Sequence, residues 1–159
     1  MSMAIEERSR VITAQAAADF VVAFSHQHGD PVSNLKLQKL LYYAQAWHLA
    51  IHDEPLFRDP IQAWVHGPVV PSVYQHYKDW AWKPIEDTPA IPALDQRTNE
   101  HLEEVMGTYG TMTAYGLELL THEEAPWRNA RAGIPADEPS NAVISHEDMK
   151  AFYRSRMNG

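Results

Sequence analysis

The sequence predicts a mainly α-helical protein with a small β-hairpin, built as a single compact helical domain. Three observations carry that expectation. The stretch "LKLQKLLYYAQAWHLAIHD" repeats apolar residues at helical spacing over about five turns. Between residues 55 and 68 the period changes to two and proline punctuates it. The remaining apolar segments are short and helix-spaced, and turn or capping residues separate them. A length of 159 residues suits one domain with a sizeable core.

The first helix is expected over 14–26. Thr13 serves as its N-cap, Ala16, Phe20, Ala23 and Phe24 share a face, and Gly29 stops it. Asp30-Pro31 turns the chain, and Ser33 or Asn34 caps the long second helix. Leu37, Leu40, Leu41, Ala44, His48 and Ile51 form its apolar stripe, with Lys36, Lys39, Tyr43 and Trp47 on the neighbouring one. A helix this apolar belongs at the centre of the domain. Ile61, Ala63 and Val65 then alternate with Gln62, Trp64 and His66, predicting a short strand that ends at the Gly67-Pro68 break; Leu56 and Phe57 are its expected partner. Pro71 fits the first turn of a helix through about Lys78, with Val70, Val73, Tyr74 and Tyr77 facing inward.

Prolines 84, 89 and 92 make a loop of the next segment. Asp95 or Thr98 opens a helix with Leu102, Val105, Met106 and Tyr109, and Thr111 or Thr113 opens another with Leu117 and Leu120. "THEEAPWRNARAG" reads as a turn into a short helix anchored by Trp127. Ser145 and Asp148 bracket a capping box that starts a last helix with Met149, Phe152 and Tyr153.

Composition narrows the function. The absence of cysteine excludes disulfides, thiolate nucleophiles and Cys-ligated metals. A net charge of −8 opposes broad contact with a phosphate backbone and suits a basic protein partner. Arg8 and Arg10 before an apolar run imitate a leader peptide, but Gln15 and Asp19 interrupt the run, and no segment is apolar for long enough to span a membrane.

Of nine histidines, His48 and His52 stand four apart and could share a helical face. "HLAIH" lacks the glutamate of a zinc-protease helix and no third ligand is marked, so a core histidine is the better reading and no metal is expected. His26 and His28 at a helix end are expected to meet carbonyls. His122, Glu123 and Glu124 offer acid–base groups, but no nucleophile accompanies them, and neither a G-x-S-x-G turn nor a phosphate-binding glycine loop occurs. No enzyme activity and no cofactor are expected. Lys36, Lys39 and Lys78 could touch nucleic acid if the strand pair were a wing, which keeps a DNA-binding regulator as the alternative. The set of exposed-capable aromatics, Tyr43, Trp47, Trp64, Tyr74, Trp80 and Trp82, fits a protein interface better.

Three segments together, "SNLKLQKLLYYAQAWHLA", "PLFRDPIQAWVHGPVVPSVYQHYK" and "LTHEEAPWRNAR", resemble the Panacea domain, whose members include SocA-like antitoxins and prophage-associated GepA-type proteins. The matching stretches are "LKLQKLLYY" from Leu35 to Tyr43, A-W-x-x-G-P-V from Ala63 to Val69 and T-H-x-E-x-P-W from Thr121 to Trp127. The resemblance spans about 14–153 and implies that 1–159 is one such domain. It further implies a cytoplasmic antitoxin that neutralises a cognate protein toxin by direct binding, or as an adaptor delivering it to the ClpXP protease. It also implies no cofactor and a mostly helical fold with a small β element. The alternative is a winged-helix-like transcriptional regulator of its own operon. Lys36, Lys39, Tyr43, Trp64, His66, Tyr74 and Lys78, around the corner between the long helix and the strand, are the expected partner contacts.

Overall fold

The computed structural model describes residues 11–157; Arg8 and Arg10, the basic end of the leader-like run, lie outside them. Seven α-helices and one two-stranded hairpin follow in order among the described residues. They are α1 (Ala14–Gln27), α2 (Asn34–His52), β1 (Gln62–Trp64), β2 (Gly67–Val69), α3 (Pro71–Tyr77), α4 (Gln96–Tyr109), α5 (Ala114–Glu123), α6 (Ala125–Arg131) and α7 (His146–Met157). A 3₁₀ turn, Lys78–Trp80, extends α3. The mainly α class with a small hairpin is what the sequence predicts.

Helix starts follow the local chemistry. Thr13, Ser33, Asp95, Thr113 and Ser145 each accept a hydrogen bond from the backbone N–H three residues on, satisfying a donor the helix itself leaves open. Pro71 and Pro126 sit in the first turns of α3 and α6, where a missing N–H removes nothing.

Helix α2 is the axis of the molecule. Helices α1, α3, α4, α5 and α7 and strand β2 all pack against it. Fifteen of its nineteen residues are buried, so the apolar stripe is only part of its buried surface. Ile51, on that stripe, is instead exposed, two residues before the left-handed Asp53 that ends the helix.

The buried polar residues of α2 explain how a helix can be covered nearly all round. All but Lys39 take hold of the backbone of a neighbouring segment. Asn34 Nδ2 donates to the Tyr74 carbonyl at 3.2 Å, and Gln38 Oε1 accepts from Val70 N–H at 2.9 Å. Gln45 donates to the Phe57 carbonyl at 2.7 Å and accepts from Leu56 N–H at 2.8 Å. His48 Nδ1 donates to the Glu54 carbonyl at 2.7 Å, and Lys36 Nζ to the Gly110 carbonyl at 2.6 Å. Burial of a polar group is tolerable only when it is bonded in this way.

The hairpin corrects the predicted strand pairing. Gln62, Ala63 and Trp64 pair antiparallel with Val69, Pro68 and Gly67, joined by a two-residue turn at Val65-His66. Gly67-Pro68 is therefore the start of β2 and not a break, and Val65 belongs to the turn. Leu56-Phe57 pairs elsewhere, as an isolated parallel bridge between Ile12 and Phe57. Pro68 is admissible in a strand because its partner asks nothing of it. Ala63 sends its N–H to the Ala142 carbonyl at 2.8 Å and receives Arg131 Nη1 on its own carbonyl at 3.0 Å. Ile144 N–H donates to the Ile61 carbonyl, so the segment before α7 flanks β1 on its free edge.

Candidate functional site

The corner between α2, the hairpin and α3 holds an open, largely apolar recess. Trp64 donates its indole N–H to Gln62 Oε1 at 2.8 Å and meets the edge of Tyr74 with ring centroids 5.0 Å apart. With Leu35, Val65, Val69 and Pro139 these rings line a cavity of about 640 Å³, and no Asp, Glu, Lys or Arg lines it. Trp127 fixes the strand from behind by donating its indole N–H to the Trp64 carbonyl at 2.8 Å.

The seven expected contact residues divide by burial. Trp64 and Tyr74 are half-buried in the cavity wall, His66 is exposed at its rim with Nδ1 3.2 Å from Glu118, and Lys78 is exposed at the end of α3. Lys36, Lys39 and Tyr43 are buried beneath this surface and do not belong to it. The cause is the covering of α2 on every side, which the stripe reading did not anticipate. The wing hypothesis loses two of its three lysines by the same fact.

Lys39 is fully covered. Its Nζ donates to the Leu35 carbonyl at 3.2 Å, one turn back on its own helix. Gly67 lies directly over it with φ +116°. A Cβ there would stand 3.2 Å from Lys39 Cε and 3.3 Å from Thr121 Oγ1, so both backbone angle and space call for glycine. Desolvation pulls the Lys39 amine down to about 8 from 10.5, partly opposed by the charge of Glu118.

Tyr43 joins a second buried cluster. Its hydroxyl donates to Glu124 Oε1 at 2.6 Å, and Tyr153 donates to the same oxygen at 3.0 Å. Tyr42 stands 3.1 Å from the Tyr153 hydroxyl, and Tyr109 stacks on Tyr43 with centroids 4.0 Å apart. Trp47 closes the group by donating to the Tyr109 hydroxyl at 2.8 Å. Burial pushes the Glu124 carboxyl above the usual carboxylate range, with the two tyrosine hydroxyls pulling the other way. The tyrosine hydroxyls are themselves held above their ordinary value, chiefly by burial. This cluster ties α2, α4, α7 and the α5–α6 joint together.

Of the three acid–base groups His122, Glu123 and Glu124 that the sequence offers, Glu124 is the buried carboxylate. Glu123 is exposed. His122 stacks on Trp127 with centroids 3.9 Å apart. The signal for Glu124 was present in the spacing T-H-x-E-x-P-W, where it is the fixed glutamate. The histidines of α1 meet carbonyls as expected, His26 Nε2 at Ile85 and His28 Nδ1 at Phe24. His48 is a core residue; its ring lies 4.7 Å from His52 and 5.1 Å from His101 between centroids, and desolvation lowers its pKa to about 4. Among the described residues no group of three or more His, Asp or Glu is arranged to hold a metal ion. No described helix is long and apolar enough to cross a membrane.

Comparison with known proteins gives two matches to the same kind of protein. The family described as "Antitoxin SocA-like, Panacea domain" matches residues 37–128, which hold most of α2, the hairpin, the cavity rings and Glu124. Antitoxin SocA of Caulobacter vibrioides (strain NA1000 / CB15N) is 32% identical over 129 residues, covering 73% of this chain and 69% of that protein. No solved structure matches the chain.

Proposed function

The chain belongs to the family of SocA-like antitoxins that carry the Panacea domain, and from that membership we propose that it neutralises a cognate protein toxin by direct binding at the hairpin corner. An antitoxin role in a toxin–antitoxin system follows from the family. The residue-level reading rests on one observation, the open cavity of about 640 Å³ walled by Trp64 and Tyr74. An uncharged, aromatic-lined recess on a protein of net charge −8 suits an apolar anchor on a basic partner. The anchor enters between the two rings, and the net negative charge of the chain accelerates encounter. His66 stands at the edge of this recess and Lys78 is exposed at the end of α3; exposed contacts of this kind set rate and register more than affinity.

The mechanism is stoichiometric covering of a toxin surface, with no bond made or broken, and the whole of 1–159 acts as one antitoxin domain. Co-expression with the toxin encoded beside it tests the proposal. Growth is restored by the wild-type chain, and growth arrest that persists in its presence refutes the reading. Purification of the two proteins as one complex separates direct binding from an indirect effect. Delivery to ClpXP is the alternative route to the same outcome, and it predicts that neutralisation disappears in a host lacking that protease.

A further inference from the structure

On the other side of Trp127 is a cavity of about 500 Å³, and its wall has an unusual charge pattern. His122, Arg128 and Arg131 line it with Trp127 and Ile134, and no acidic residue does. On a chain of net charge −8, a recess lined by basic groups alone stands out.

Arg131 is 1% exposed, and among the described residues no carboxylate forms an ion pair with it. Its guanidinium lies over the Trp127 ring at 4.7 Å. It donates to three carbonyls, those of Ala63 at 3.0 Å, Pro135 at 2.8 Å and Glu138, and its Nε–H is left without a partner. A buried guanidinium balanced only by carbonyl dipoles lacks the counter-charge such groups normally have. His122, stacked on the same indole, has a buried Nε2 that also lacks a partner. Burial holds the His122 pKa below its ordinary value, helped by the charges of Lys39 and Arg131 and opposed by Glu118, one turn back on α5, and by a hydrogen bond to the Val65 backbone. Glu118 itself turns its carboxylate to His66 at 3.2 Å.

We propose that this cavity is a binding site for a single carboxylate presented by a protein partner. Arg131 Nε–H and His122 Nε2 are the two unpartnered buried nitrogens beside the cavity. The first donates to one oxygen, His122 takes up a proton as the carboxylate arrives and donates to the other, and Arg128 supplies an exposed cation at the rim. Trp127 and Ile134 form an apolar wall for the stem of an acidic side chain or for the last residue of a chain. A phosphate would ask for more donors than remain on a guanidinium already bound to three carbonyls, and the acidic surface repels a polyanion. The inference rests on the reading of the chain as a protein-binding module, but it uses a recess separate from the Trp64–Tyr74 cavity.

The test uses the purified full chain and NMR of the His122 ring. Three probes are titrated: a capped Gly-Asp-Gly peptide amide, the matching Gly-Asn-Gly amide, and an acetylated Gly-Gly-Leu with a free carboxyl terminus. Carboxylate probes are expected to shift the His122 resonance saturably and raise its apparent pKa, and the Asn peptide is not. The arm that saturates at lower concentration identifies a side chain or a chain terminus as the source. Arg128→Ala should weaken the effect about fivefold. Equal shifts from the Asn peptide, or no saturable shift from either carboxylate, overturn the proposal. Because Arg131 variants threaten the fold, a carboxylate is also supplied from within by Ala136→Glu, with Ala136→Gln as control. The Glu variant should raise the His122 pKa and block the peptides; identical behaviour of the two variants refutes the site. Neither result bears on toxin binding at the hairpin corner, which growth rescue measures independently.

Discussion

Tyr43 and Glu124, 81 residues apart in the chain, share a buried hydrogen bond of 2.6 Å that joins the central helix to the joint between α5 and α6. Glu124 Oε1 takes a second hydroxyl from Tyr153 of the last helix. One carboxylate oxygen thus receives a donor from each end of the fold.

Tyr43→Phe should lower unfolding stability by about 1–3 kcal/mol, since it takes a donor from a buried carboxylate. Glu124→Gln should change the pH dependence more than the stability. The folded carboxyl has a raised pKa, so its contribution is present below the unfolded value of 4.5 and is lost as pH rises through the folded value. Urea titrations from pH 4 to 8 are expected to show the stability of the wild type relative to the Gln variant falling as pH rises, a difference from which the opposite trend of His48 and His101 cancels.

Lys39→Met should stabilise the protein at neutral pH by about 1–3 kcal/mol, because a buried amine is exchanged for an apolar chain of similar shape. In the wild type the folded amine titrates near 8 and the unfolded one at 10.5. The unfolded chain therefore holds the extra proton between those values, and stability rises with pH across that window. Chemical denaturation at pH 7 and pH 10 should show the difference between wild type and variant shrinking.

His48 makes the fold acid-sensitive. Its folded pKa of about 4 lies below the unfolded 6.5, so stability is lost as pH falls from 6.5 to 4. Two and a half units correspond to about 3 kcal/mol. His101 is shifted in the same direction by burial, and the charge of Arg97 adds to both shifts. A His48→Gln variant retains a donor for the Glu54 carbonyl and should show a flatter thermal stability profile between pH 4 and 7.

Tyr74→Ala should weaken toxin binding at least about tenfold, as expected for an aromatic anchor, while circular dichroism stays unchanged. Gln75→Ala, at an exposed neighbouring position on the same helix, should bind normally. Lys78→Ala should alter the association rate and its salt dependence, with little effect on dissociation. Surface plasmon resonance at two ionic strengths separates these effects.

The helices were legible because their signals are local. Thr13, Ser33, Asp95 and Ser145 announce their own helices, and the apolar period of α2 marks the centre. The hairpin was not legible in register. Pro68 looks like a terminator until its partner Ala63 is seen to bond to Ala142 and Arg131, contacts that are 79 and 68 residues away from Ala63 in sequence. The burial of Lys36, Lys39 and Tyr43 was hidden for a related reason. A lysine on a helix reads as solvated unless something distant covers it, and here Gly110, Gly67 and Glu124 do so. Trp64, His66 and Tyr74 could be placed together from sequence because one short segment contains them all.

The buried amides and imidazole of α2 hold their neighbours by main-chain atoms: the carbonyls of Tyr74, Phe57 and Glu54 and the N–H groups of Val70 and Leu56. Such fastenings are blind to the side chains they carry. The residues that face outward from these segments can therefore be rewritten while the attachment points stay intact. Tyr74 is the clearest case, held by its carbonyl while its ring walls the open cavity, so the displayed group can be exchanged without unfastening the helix that carries it.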